Sequence, residues 1–337
     1  MTLSAVQGQP RAVRMLTSAL RAQQLSHALL FGGPAGVGKE AAAVGLAQAL
    51  LCQQAPDEGC GACEVCDRVE RRLHPDVTWV MPDAERVARE GGKVSGSGSR
   101  DLKVDQVRAL QERLALRPLE GSRKIAILVS AESMNESAQN ALLKTLEEPP
   151  SQTSLVLLAT APDRLLPTIR SRCARIPFSP LPTDTVAERI AEERKLDPGT
   201  ARLVAELSGG SLSRARELDV RALEGRRELI ESFEAVDQDL TALVAFAETH
   251  GASRATAEEA VDLLLLWNRD VLLAGVGVET IANRDLLPLA QSVAARISPA
   301  GLHRRGALLE GVRAAVGRHA SPKLQLEKLL ITLRGLR

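Results

Sequence analysis

Seven residues, Gly33-Pro-Ala-Gly-Val-Gly38-Lys39, constrain the fold of this chain more than any other stretch. They fit the Walker A spacing, in which glycines let backbone N–H groups turn inward around a phosphate while the lysine reaches its terminal oxygens. Such a loop needs a buried strand running into it and a helix leaving it, because the helix N-terminus lends the cradle its positive potential. Both neighbours are present. Ala28 to Phe31 is a short apolar run ending in Gly-Gly-Pro, and Lys39 to Leu51 is rich in the helix formers Ala and Leu. The plainer reading of the same residues is a glycine turn that only joins strand to helix.

The alternation continues through the first half of the chain. Pro10 to Gln24 predicts an amphipathic helix with Val13, Leu16 and Leu20 on one face. Asp76 to Val80, Ile125 to Val129 and Leu155 to Ala159 predict strands, and Val104 to Leu116 and Ala138 to Glu147 predict helices. Strands alternating with helices imply an α/β fold with a parallel sheet covered on both faces, ending near Phe178. The Pro-rich Ser179 to Asp184 reads as a linker. Helical patterns follow at Asp184 to Lys195, at Pro198 to Ser208 and after Gly209-Gly210, and only helical patterns appear beyond about Ala222. The last helix opens at Ser321-Pro322, an N-cap with a first-turn proline, and sets Leu326, Leu329, Leu330 and Leu333 on one face. The expected organisation is an α/β domain over 1–178, a small helical lid over 179–218 and an all-helical domain over 219–337. Glu90 to Arg100 (EGGKVSGSGSR) has the composition of a flexible loop.

A length of 337 residues suits two or three domains. With 43 basic and 42 acidic residues the net charge is +1, so no basic field would hold DNA unaided. Aromatic residues make up 2% and Tyr is absent, which argues against an autonomous single-strand binder built on stacking. Met1 to Leu20 has no apolar stretch of signal-peptide length, and Leu263 to Trp267 is too short to span a bilayer. A cytoplasmic protein without membrane association is expected.

The residues around the loop are not those of a working ATPase. After Lys39 a Ser or Thr hydroxyl should ligate magnesium, and here stands Glu40. An Asp and a Glu should close the strand Ile125 to Val129, one to help hold the metal and one to polarise the attacking water, but Val129 and Ser130 occupy those positions. Glu132 lies beyond the strand end and is expected to point elsewhere; a displaced base is its alternative role. Nucleotide binding by Gly33, Gly36, Gly38 and Lys39 stays possible, whereas magnesium-dependent hydrolysis is not expected.

Cys52, Cys60, Cys63 and Cys66 supply four thiolates with spacing suited to tetrahedral zinc, and Gly59-Cys60-Gly61 supplies a tight turn. With four sulfur ligands no water position remains, so the metal would be structural. Four free cysteines in a reducing compartment are the alternative. His74, eight residues past Cys66, reads as part of a His-Pro-Asp turn rather than as a ligand, and Cys173 as a small buried apolar residue.

The stretch Asn140-Ala-Leu-Leu-Lys-Thr-Leu-Glu-Glu-Pro-Pro150 closely resembles a signature of bacterial clamp-loader subunits of the AAA+ class. Leu158-Ala-Thr160, Ile169-Arg-Ser171-Arg172-Cys173 and the opening Val6-Gln7-Gly8-Gln9 are also similar to that family, which covers about Val6 to Phe178. The resemblance implies a RecA-like AAA+ domain carrying a zinc module at about 52–66, a helical lid and a C-terminal helical collar. It implies that Val6 to Gln9 lies beside the adenine site and that Thr160 holds the sensor position near the γ-phosphate. It also implies that Arg172 projects into a neighbouring subunit's ATP site. Active relatives carry an arginine where Ser213 falls, so Arg214 is one position out of register. Glu40, Val129 and Ser130 depart from the active gamma/tau pattern and match a branch of the family in which both motifs are degenerate. The implied partners are the gamma/tau and delta subunits of a clamp loader, with the sliding clamp and primed DNA within the complex, and no homo-oligomer. The implied cofactors are structural zinc and, as a possibility, ATP.

Two rival functions remain at this point. One is an active AAA+ ATPase of the gamma/tau type. The other is a zinc module reading DNA directly, although Asp57, Glu58, Glu64 and Asp67 interrupt the basic residues beside the cysteines.

Overall fold

A computed structural model describes residues 2–89, 99, 101–218, 220–235, 240–278, 281–317 and 320–334. The stretch read as a loop from Glu90 to Arg100 therefore lies, apart from Ser99, outside the described residues. The chain divides into two compact units, Met1–Val186 with Gly209–Arg214, and Ala187–Ser208 with Ala215–Arg337.

The first unit follows the predicted alternation. Its helices are α1 (Pro10–Arg21), α2 (Lys39–Leu51), α3 (Glu64–Glu70), α4 (Asp83–Arg89), α5 (Val104–Ala115), α6 (Glu136–Glu147) and α7 (Pro167–Arg172). Its strands are β1 (Ala28–Gly32), β2 (Val77–Val80), β3 (Lys124–Leu128), β4 (Thr153–Ala159) and β5 (Ala174–Pro177). They form one sheet in the order β2-β3-β4-β1-β5, parallel throughout. Side chains alternate across each strand, so neighbouring residues feed opposite layers. Leu29 and Phe31 of β1 join Leu16, Leu20 and Leu46 on one face, whereas Ala28 and Leu30 join Leu110, Leu128 and Leu142 on the other. Burial on both faces explains why β1 and β4 read as nearly continuous apolar runs.

Three short helices and β5 carry little sequence signal. In β5 only Ile176 is buried, because an edge strand has one flank open. β4 begins two residues before its apolar run, with Thr153 and Ser154 paired to Lys124 and Ile125. Asp76, just before β2, is 1% exposed and accepts backbone N–H bonds from Leu119, Glu120 and Gly121 at 2.7, 2.9 and 2.7 Å. It pins the turn that leads into β3.

Helices α8 (Thr183–Arg194), α9 (Pro198–Leu207) and α10 (Leu212–Glu217) come next, followed by α11 (Val220–Ala235), α12 (Leu240–His250), α13 (Arg254–Gly275), α14 (Leu287–Arg296), α15 (Pro299–Gly317) and α16 (Pro322–Arg334). Among the described residues no strand occurs beyond β5. The second unit packs around Trp267, which is fully buried on α13 with Leu264, Leu309 and Leu326. Its indole N–H donates to Glu234 at 2.7 Å, and Arg305 binds the same carboxylate oxygen at 2.7 Å, so the buried indole N–H and the carboxylate satisfy one another. Leu326, Leu329 and Leu330 of α16 are buried as their spacing predicts. No helix among the described residues is long and apolar enough to cross a membrane.

Candidate functional site

The loop between β1 and α2 takes the shape its glycines permit. Gly36 and Gly38 have φ of +69° and +101°, a region that residues with a Cβ rarely adopt. A Cβ on Gly36 would also collide with the Ser211 and Ser213 hydroxyls, because Leu212 N–H bonds to Gly36 O at 3.0 Å and lays its segment on the loop. Ser213 thus faces the loop, and Arg214 is exposed. Gln9 closes another side. Its amide donates to Val37 O at 3.0 Å and to Ser179 O at 2.6 Å, and its oxygen accepts Ser179 N–H at 3.1 Å.

Lys39 is 8% exposed. Its ammonium donates to Gly33 O and Pro34 O, both at 2.5 Å. Burial pushes its pKa down to about 8, a fall only partly opposed by Glu132 and Glu40.

Glu40 shows most directly what the site can do. Its carboxylate accepts from Arg89 at 2.7 and 2.9 Å and from Arg72 at 2.6 Å. Burial alone would raise its pKa, but the Arg89 and Arg72 guanidiniums outweigh that and hold it below the usual carboxylate range. Arg89 also binds Glu85, whose other oxygen accepts the Ser130 hydroxyl at 3.0 Å, and Arg72 lies 4.2 Å from the centroid of the Trp79 ring. The metal-ligand position of the loop and the acid position of β3 are therefore joined by a chain of arginine–carboxylate bonds. A magnesium ion does not fit this donor set: the Glu40 carboxylate is committed to two cations, and the Ser130 hydroxyl is bonded to Glu85. Neither Arg72 nor Arg89 carries a motif that would have disclosed it in the sequence.

Glu132 corrects an expectation. It does not point away from the loop. Ser130 sits in the left-handed region with φ +52° and starts a 3-10 turn, Ala131–Ser133, which swings Glu132 back over the strand ends. The Glu132 carboxylate accepts from Thr160 N–H at 3.0 Å and from the Thr160 hydroxyl, and its charge is felt by Lys39. Thr160, Glu132 and Lys39 so share the C-terminal edge of the sheet. A left-handed serine gives no sequence signal, so the turn was not legible.

Arg172 ends α7 at the surface with its side chain 37% exposed, bonded to Glu147 at 2.8 Å and to Thr168 O at 3.1 Å. Cys173 is buried, and burial pushes its thiol up to about 11, in keeping with an unreactive apolar role.

The four clustered cysteines meet as their spacing predicts, all four sulfurs lying within 4.8 Å of one another. Tetrahedral zinc, with bonds of about 2.3 Å, holds its sulfurs about 3.8 Å apart. The pairs Cys52–Cys63 and Cys60–Cys66 are each separated by 3.9 Å. Backbone N–H groups of Ala55, Cys60, Cys63 and Cys66 point at the sulfurs from 3.3 to 3.5 Å, the second layer of bonds that thiolate ligands use. Residues and geometry fit zinc held by Cys52, Cys60, Cys63 and Cys66, which would cross-link the segment between α2 and α3. His74 is buried and accepts Asp76 N–H at 3.2 Å, as a turn residue.

Among known proteins, residues 8–182 match the family described as DNA polymerase III, delta subunit. The chain is similar to DNA polymerase III subunit delta' of Bacillus subtilis, 34% identical over 277 residues that cover 80% of this chain and 79% of that protein. It is 29% identical to DNA polymerase III subunit delta' of Escherichia coli over 292 residues, covering 85% and 82% respectively. Similarity extends to DNA polymerase III subunit tau of Bacillus subtilis, 32% identical over 219 residues, but there it covers 63% of this chain and 36% of the relative.

Proposed function

We propose, on the premise that this chain belongs to the DNA polymerase III delta-prime family, that it is a clamp-loader subunit that does not hydrolyse ATP itself. It works instead on a neighbour's ATP. The observation that carries this reading is the bonding of Glu40 by Arg72 and Arg89, which puts an ion-pair chain where a hydrolytic site needs magnesium.

What remains usable is Arg172. In an assembly with gamma/tau and delta subunits its guanidinium would leave Glu147 for the γ-phosphate bound by the adjoining gamma/tau subunit, where charge develops during phosphoryl transfer. Such an arginine contributes on the order of 10³–10⁵ in rate. The helical residues from about 219 onward would form the collar that fixes the subunits' order, residues 179–218 the lid, and residues 1–178 the AAA+ domain. The complex would load the sliding clamp on primed DNA, in the cytoplasm. Gly33, Gly36, Gly38, Lys39 and Thr160 are the residues that would meet a nucleotide, if one binds without being consumed.

The test is reconstitution with gamma/tau and delta subunits. The Arg172→Ala loader is expected to assemble normally and to lose most ATP turnover at the adjoining site, with Arg172→Lys intermediate; unchanged turnover and clamp loading would reject the role. A second reading is supported by one observation, the Glu132 carboxylate that binds Thr160 and whose charge reaches Lys39; on that reading Glu132 would act as a displaced base. Magnesium-dependent turnover by the purified chain, abolished by Glu132→Gln, would establish that reading instead.

A further inference from the structure

β2 lies at one edge of the sheet, and its outer flank is a groove of about 870 Å³ that the functions above do not use. The ladder bonds Ile125 N–H to Asp76 O and Val129 N–H to Val80 O turn the even-numbered carbonyls of β2 toward β3. Strand alternation then turns Val77 C=O and both peptide groups of Trp79 outward, and among the described residues none of these three groups has a partner. The walls are cationic: Arg71, Arg72, Arg86, Arg89 and Arg113 line the groove against a single acid, Asp83. Arg72 and Arg89 are bound to Glu40, so the free charge comes from the other three. Arg71 and Arg86 meet exposed carboxylates at 3.5 Å, pairs of little strength, and Arg113 has no carboxylate partner among the described residues.

We infer that this groove binds an extended acidic peptide, which adds a strand to β2 while its carboxylates meet Arg71, Arg86 and Arg113. Two features select that occupant. The floor offers alternating N–H and C=O groups, which a peptide backbone answers and a phosphodiester chain, lacking donors along its backbone, does not. The chain's own residues 90–98 hold one acid, Glu90, and one base, Lys93, so charge does not favour them.

The experiment is selection of a random 12-residue peptide library on the full-length, zinc-loaded chain, followed by titration of the most enriched synthetic peptide. Enriched peptides should carry several Asp or Glu residues, and binding should weaken at least tenfold both in the Arg86→Glu/Arg113→Glu chain and when alternate peptide nitrogens are methylated. Both arginines are exposed, so an unchanged melting temperature and zinc content will show that the variant folds. No excess of acidic residues among the selected peptides, undiminished binding to the double variant, or indifference to N-methylation would each overturn the proposal. Displacement of the peptide by a tighter-binding oligothymidylate would overturn it in favour of nucleic acid.

Discussion

At Glu40 a single carboxylate faces two guanidiniums with side chains about one-third exposed, at 33% for Arg72 and 32% for Arg89. Replacing it by Gln keeps the shape and removes the charge, leaving Arg89 with Glu85 alone and Arg72 with a neutral acceptor. The expected loss is about 1–2 kcal/mol, reduced from the value for a fully buried pair because water still reaches the site. Since the folded pKa of Glu40 is depressed, its stabilisation is present above the unfolded value near 4.5 and fades as pH falls through the folded one. Melting curves of the parent and Glu40→Gln chains should therefore differ at pH 7 and converge in acid; a constant gap would show that charge is not the cause. Lys39 carries the opposite charge but gives the same slope, at higher pH. Burial lowers its pKa from 10.5 to about 8, so between those values the unfolded chain holds more protons and stability rises with pH. Relative to Lys39→Met, the parent should gain stability across that window, by at most about 3 kcal/mol.

At the level of elements, the segment between α2 and α3 has no strand and no long helix to hold it, and zinc on the cysteine cluster would supply its cross-link. Zinc analysis should find about one ion per chain. Chelation or Cys60→Ser should cost about 2–3 kcal/mol, read as a fall of about 5–10 °C in melting temperature. A metal-free preparation of unchanged stability would remove the claim. This cluster was fully legible because four reactive side chains at short spacing have few other uses. The helices α5 and α16 were also legible, since each buries residues at helical spacing, and α2 and β1 were legible as apolar runs on either side of the glycine loop. β5 was not, because a short edge strand with one buried side chain has no period to read. Nor were the partners of Glu40: Arg72 and Arg89 are brought to it by the chain's path through β2, a long-range consequence that local spacing does not encode. Glu132 was misplaced because one left-handed serine redirected the backbone.

Over the whole molecule, near-neutrality matters more than any patch. At physiological salt the isolated chain should bind a 20-nucleotide single strand with a Kd no tighter than about 10⁻⁶ M, the range of non-specific contacts, as measured by fluorescence anisotropy. Nanomolar, salt-sensitive binding would revive the DNA-reading zinc module. The chain also contains no Tyr and two Trp residues, Trp79 in the first unit and Trp267 in the second. Each body thus carries its own optical reporter: Trp79 sits partly open under a cation, while Trp267 is sealed away from solvent. Changing Trp79 to Phe would leave emission that reports the helical body alone, so the melting of each half can be followed in the intact polypeptide without attaching a dye.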